Sequence, residues 1–193
     1  MFHGRNRHIR VNSGPKQAPP ATGQVGPGCA AHITAEAPGG GYFISNVAGE
    51  GAAKDGEGWV SLVDANGGIV NERFVDGIDA PKGMAVLDGV LYVADIDLVR
   101  TFDAASGEAM GDIEVDDAKF LNDATVWNGV VYVSDSLTNT VLKIEDGAAA
   151  PWINDDRLGK VNGVLGAGDV MFIVTMETGS LYMADQQGGL TEI

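Results

Sequence analysis

Leu121-Asn122-Asp123-Ala124-Thr125-Val126, followed by Val131-Tyr132-Val133-Ser134-Asp135, is the stretch that decides the fold, because the chain repeats it. Upstream stand Pro81-Lys82-Gly83-Met84-Ala85-Val86 and Leu91-Tyr92-Val93-Ala94-Asp95; downstream stand Val161-Asn162-Gly163-Val164 and Met171-Phe172-Ile173-Val174-Thr175. The aromatic of each copy falls at 92, 132 and 172. A looser fourth copy is Gly41-Tyr42-Phe43-Ile44-Ser45-Asn46. A period of about 40 residues with several short strands per unit is the mark of a blade array, so the expected fold is an all-β propeller.

Working outward from residue 121, the third unit reads as four strands. They are expected near Asp123–Trp127, Val130–Ser134, Thr140–Ile144 and Ala149–Ile153. Runs of β-branched and aromatic residues end at Asp64-Ala65-Asn66-Gly67-Gly68, Asp103-Ala104-Ala105-Ser106-Gly107, Glu145-Asp146-Gly147 and Asp185-Gln186-Gln187-Gly188-Gly189. Each supplies a glycine for the positive φ of a hairpin tip. No stretch has helical spacing with a cap over three turns, so helix content should be near zero. Residues 41–193 then hold roughly four units of four antiparallel strands.

Residues 1–28 carry four of the seven prolines and show no strand or helix period, so residues 1–39 are set aside as a disordered or aberrant basic, Pro/Gly-rich segment. The propeller domain is expected over 40–193. Arg5, Arg7, Arg10 and Lys16 stand in the first 35 residues with no acid among them. Of a net charge of −15, the remainder therefore carries 8 basic against 27 acidic residues. Such a surface repels phosphate backbones and anionic lipid, which argues against nucleic-acid and membrane partners. Cys29 is the one cysteine and has no intrachain partner. The first 20 residues lack the apolar core of a secretory signal, which reads as cytoplasmic with a periplasmic full-length parent left open.

Ile78-Asp79-Ala80-Pro81-Lys82-Gly83-Met84-Ala85-Val86, Lys119-Phe120-Leu121-Asn122-Asp123 and Val131-Tyr132-Val133-Ser134-Asp135-Ser136 together resemble the six-bladed propellers of the senescence-marker, gluconolactonase and luciferin-regenerating-enzyme family. The resemblance covers about residues 41–193. It implies one divalent cation in the central channel, Ca2+ before Zn2+ or Mg2+, and metal-assisted hydrolysis of a lactone or related ester. It also implies that four of six blades are present, as in a truncated or frame-shifted chain whose activity is impaired. Exposed blade edges would then favour self-association. The alternative is a non-catalytic propeller that binds a small molecule or a protein.

Equivalent residues of successive blades converge on the channel mouth, and here those positions are Lys82, Asn122 and Asn162. Two amide oxygens suit a hard cation, making Asn122 and Asn162 the candidate metal ligands; both are equally well read as turn formers. The glutamate that the resemblance implies one unit earlier would fall near His32 or Ile33, and neither position is acidic. Lys82 is the candidate substrate contact, or else a solvated charge. Asp123 is the candidate general base, or else an acid that holds backbone amides at the strand entry. Asn46, Asp95 and Asp135 share a phase after the second strand and are expected to cap the hairpin there, with a catalytic role as the alternative. Histidine is confined to His3, His8 and His32, which leaves no Ser-His-Asp set in the repeats. Gly49–Gly58 reads as an insertion between the first two strands of its unit, with cation binding as the alternative. Trp59, Trp127 and Trp152 are read as packing residues.

Overall fold

The computed structural model describes residues 30–193, and side chains from Ala37 onward. Four antiparallel sheets of four strands follow one another, each a simple meander. The first holds β1 (Ala30–Ala37), β2 (Gly41–Val47), β3 (Gly58–Val63) and β4 (Ile69–Ile78). The second holds β5 (Pro81–Leu87), β6 (Val90–Asp95), β7 (Leu98–Asp103) and β8 (Ala109–Glu114). The third holds β9 (Leu121–Trp127), β10 (Val130–Asp135), β11 (Thr140–Glu145) and β12 (Ala148–Asn154). The fourth holds β13 (Val161–Ala167), β14 (Val170–Thr175), β15 (Leu181–Ala184) and β16 (Leu190–Glu192). Among the described residues the single helical element is a 3-10 turn at Asp156–Leu158.

Local chemistry accounts for the meanders. β5 joins β6 through Asp88-Gly89, β9 joins β10 through Asn128-Gly129, and β11 joins β12 through Asp146-Gly147; both residues of each pair have positive φ. That is the two-residue turn whose twist matches a hairpin. The tips after β3, β7 and β15 instead close on an aspartate. Asp64, Asp103 and Asp185 each accept two backbone N–H groups from the loop they open.

The first strands of the sheets pack side by side in the order β1, β5, β9, β13. Three apolar layers fill the spaces between sheets, because both faces of an inner blade must be apolar. Phe43, Val60 and Val75 meet Met84, Leu91 and Val93. Ala85, Ala94 and Val99 meet Leu121, Val131 and Val133. Trp127, Tyr132 and Val141 meet Val164, Met171 and Ile173. In the third layer Tyr132 stands edge-on to Trp152 at 4.8 Å, and the Trp127 indole donates to Gly168 O at 2.8 Å.

The strands of the third unit lie within two residues of their expected ends. Three readings change. β1 and its turn fall inside the segment 1–39; residues 1–29 of that segment, with Cys29, lie outside the described residues. Ala30-Ala31-His32-Ile33-Thr34-Ala35-Glu36-Ala37 is Ala-rich, and Ala is a poor strand former, so the strand left little local signal. Because β1 precedes β2, the Gly49–Gly58 loop joins the second and third strands of its sheet rather than the first two. Trp59 lies half-buried on the first sheet's outward side, under the Arg73 guanidinium at 4.5 Å, and outside the three layers.

Candidate functional site

Lys82, Asn122 and Asn162 are the second residues of β5, β9 and β13. Pro81, Leu121 and Val161 just before them pair with Asp95, Asp135 and Thr175, so the three share one register position. They sit on neighbouring strands along one rim. All three are half-buried.

Each donates to a neighbouring acceptor: backbone carbonyls, a hydroxyl or a thioether sulfur. The Lys82 ammonium donates to Gly51 O at 2.8 Å and Ala80 O at 2.9 Å, and lies 4.4 Å from the centre of the Phe120 ring. Burial lowers its pKa from the ordinary lysine value, with the Asp95 charge opposing. Asn122 Nδ2 donates to Ser136 Oγ at 2.9 Å, and that hydroxyl donates on to Val161 O. Asn162 Nδ2 donates to the Met176 sulfur. One relay thus runs from Asn122 to the residue beside Asn162.

Asp123 stands one residue past Asn122, buried between the inner strands. Its Oδ1 accepts from Ala124 N and its Oδ2 from Val164 N, both at 2.9 Å, so the carboxylate ties β9 to β13. Its own N–H donates to Ser134 Oγ, which donates to Asn162 O. The room for it comes from the neighbours. Gly83 and Gly163 hold the same place in β5 and β13, and a Cβ at 83 would lie 2.4 Å from Asp123 Cα. A repeat position reading Gly, Asp, Gly was the signal in the sequence for this tie.

Asp95 and Asp135 are buried and face the connectors that enter their own sheets. Asp95 accepts from Asp79 N and Ala80 N, and from Arg100 Nε at 2.7 Å. Asp135 accepts from Lys119 N, Phe120 N and Leu137 N. Asn46, in the same phase, donates to Ser61 Oγ and Ile44 O within its own sheet. Ser134, Ser136 and Phe120 complete the rim and were not singled out from the sequence.

The donors do not by themselves fit a divalent ion. The rim offers two amide oxygens and one ammonium, and hard cations need carboxylate charge. Among the described residues no group of three or more His, Cys, Asp or Glu could hold a metal.

Four consecutive four-stranded sheets with their first strands gathered together define a β-propeller protein. Solved propellers share the fold. A catalytically inactive virginiamycin B lyase from Staphylococcus aureus, solved with quinupristin, matches at TM-score 0.60 and 13% identity, over 84% of this chain and 70% of that one. A luciferin-regenerating enzyme matches at 0.60 and 13%, over 85% of this chain and 60% of its own. The PQQ-bound aldose sugar dehydrogenase from Streptomyces coelicolor matches at 0.54 and 13%, over 76% and 57%. This chain therefore spans less than two thirds of the latter two. At such identities the likeness establishes the fold alone, and the second of these proteins is of the kind the sequence resembles. A scan against family models and a search of curated proteins find no match.

Proposed function

We propose that the rim formed by Lys82, Asn122 and Asn162 binds a small hydroxylated lactone or related ester, and that hydrolysis of this ring is the reaction class to test there. The observation that carries the reading is the equivalence of three polar side chains on consecutive inner strands. Their hydrogen-bonding capacity suits such a molecule. Lys82 uses two of its three ammonium protons on carbonyls, leaving one for an ester carbonyl oxygen. One amide proton of Asn122 engages Ser136 and one of Asn162 engages Met176, so each side chain still has its Oδ1 acceptor and a second N–H to offer substrate hydroxyls. A divalent cation would need a carboxylate in addition to these amides.

Asp123 acts in this reading as a positioning residue. Its two oxygens hold Ala124 N and Val164 N, and through them the spacing of Asn122 and Asn162. The test is calorimetric titration with a hexonic δ-lactone, with ring opening followed by acid release, both with and without added Ca2+. Binding that weakens at least tenfold in Asn122→Ala combined with Asn162→Ala supports the rim. Unchanged binding in that variant refutes it. Acid release that Asp123→Asn abolishes while binding persists would return Asp123 to the role of base.

A further inference from the structure

The fourth sheet has one face against the third sheet and one face that no described residue covers. Register puts Leu165, Phe172 and Met183 in line on that open face, with Val174 opposite Leu181 beside them. Leu165 is 60% exposed, Val174 44% and Met176 56%. A solvated sheet face ordinarily alternates to polar residues. This one does not. In the third sheet the places of Phe172, Val174 and Met183 are taken by Tyr132 and Ser134, which are buried against the fourth sheet, and by Lys143, which stays partly exposed. At these three places the open face is more apolar than its equivalent in the third sheet.

In the first sheet it is the opposite face that no described residue covers. Tyr42 and Ile44 occupy the places of Leu91 and Val93, which in the second sheet are fully buried against the first. Tyr42 is 41% exposed, and Trp59, half-buried, lines a cleft of about 570 Å³ on the same sheet with Arg73, Asp76 and Glu57. Every internal junction joins the face type open on the fourth sheet to the face type open on the first. One chain therefore carries both halves of the junction that it uses three times internally.

We infer that the chain associates head to tail, the outer face of the fourth sheet docking on the outer face of the first sheet of a second copy. The contact is heterologous: two copies close into a ring if the rotation allows, and otherwise the contact propagates. This inference concerns the flanks of the array and stands apart from ligand binding at the rim.

Sedimentation velocity across a dilution series of the full chain tests it. Wild type is expected to shift from assembly to monomer on dilution. Leu165→Lys with Val174→Lys blocks one half, and Tyr42→Lys with Ile44→Lys blocks the other, so each variant alone should be monomeric. Mixing the two variants should restore one-to-one pairs and nothing larger, because only one intact junction remains. A wild type that is monomeric at its highest soluble concentration overturns the inference. So does either variant assembling alone, which would mean like faces meet, or a mixture that stays monomeric although both variants keep the wild-type circular dichroism. Hydroxyl-radical oxidation of Met176 and Met183 in wild type gives a reading free of substitutions. Protection that fades on dilution supports the contact, and reactivity equal at all concentrations counts against it.

Discussion

The two middle sheets and the two flanking sheets share one strand plan but differ in what ends the second strand. In the middle sheets it is a buried aspartate, Asp95 or Asp135, reaching sixteen residues back to the N–H groups of the connector. In the first sheet Asn46 turns into its own sheet. In the fourth, Thr175 bonds Thr178 and Ser180, and the connector is closed by backbone instead, Met176 N to Lys160 O and Glu177 N to Gly159 O. An acid repeated at the mouth of a propeller invites a catalytic reading. Here the repeated acid fixes the path of the chain from one sheet to the next.

The largest effect should come from removing that acid. Asp95→Ala strips the N–H groups of Asp79 and Ala80 of their acceptor and leaves the partly buried Arg100 with only the longer contacts to Asp79 and Asp112, a loss of about 3–5 kcal/mol for breaking such a buried pair. Thr175→Ala removes neutral hydrogen bonds worth about 1 kcal/mol. Urea unfolding of the two variants measures the difference. Equal losses would break the distinction between middle and flanking sheets.

Next come the glycines on either side of Asp123. At Gly83 a methyl group would meet backbone, Asp123 Cα at 2.4 Å and Ala124 N at 2.5 Å; at Gly163 it would meet the end of a side chain, Val174 Cγ2 at 2.8 Å. Gly83→Ala should cost about 1–3 kcal/mol, because packed backbone yields little. Gly163→Ala should cost under about 1 kcal/mol, since the half-exposed Val174 can turn aside. Thermal unfolding read by circular dichroism ranks them, and a larger loss at Gly163 would place the tighter junction between the third and fourth sheets.

These contrasts also mark what was legible in the chain. The third sheet could be read almost residue by residue, because Val130-Val131-Tyr132-Val133 and Thr140-Val141-Leu142 are strong strand formers closed by glycine turns. The alignment of Lys82, Asn122 and Asn162 was legible too, since a constant period carries a constant register. β1 was not, because Ala30–Ala37 owes its pairing to β2 and not to its own propensity. The partners of Asp95 and Asp135 were out of reach for a different reason. Backbone N–H groups carry no residue identity, so a side chain that binds them leaves no second letter to find. Trp59 was misjudged because a tryptophan on an outer face and one in a layer look the same in one dimension.

A third contrast sets Trp127 against Trp59. Trp127→Phe loses the hydrogen bond to Gly168 O and part of a layer that includes Tyr132 and Trp152, and should cost about 1–3 kcal/mol. Trp59→Phe, half-exposed under Arg73, loses a longer hydrogen bond to Ser61 Oγ and should cost about 1 kcal/mol or less in the dilute monomer. Chemical denaturation at low protein concentration checks both. If the Trp59 variant loses more at high concentration than at low, the outer face of the first sheet is buried in an assembly.

The smallest effect separates the rim lysine from the surface lysine of the next sheet. Lys82 has its folded pKa lowered, first by burial, whereas Lys143 has its own raised by Glu145. Between the folded and unfolded values of Lys82 the unfolded chain binds more protons, so its contribution to stability rises with pH through that window and levels off near the unfolded value of about 10.5. Lys143 has the opposite sign: its stabilising contribution is present at lower pH and fades as pH climbs through its raised folded value. Against Lys82→Met, wild type should therefore gain stability as pH rises toward about 10.5, and against Lys143→Met it should lose some at the alkaline end. Urea midpoints at several pH values resolve the two slopes. Parallel slopes would mean that the Lys82 ammonium is solvated, and the rim would then lack the partly desolvated donor that ester binding requires.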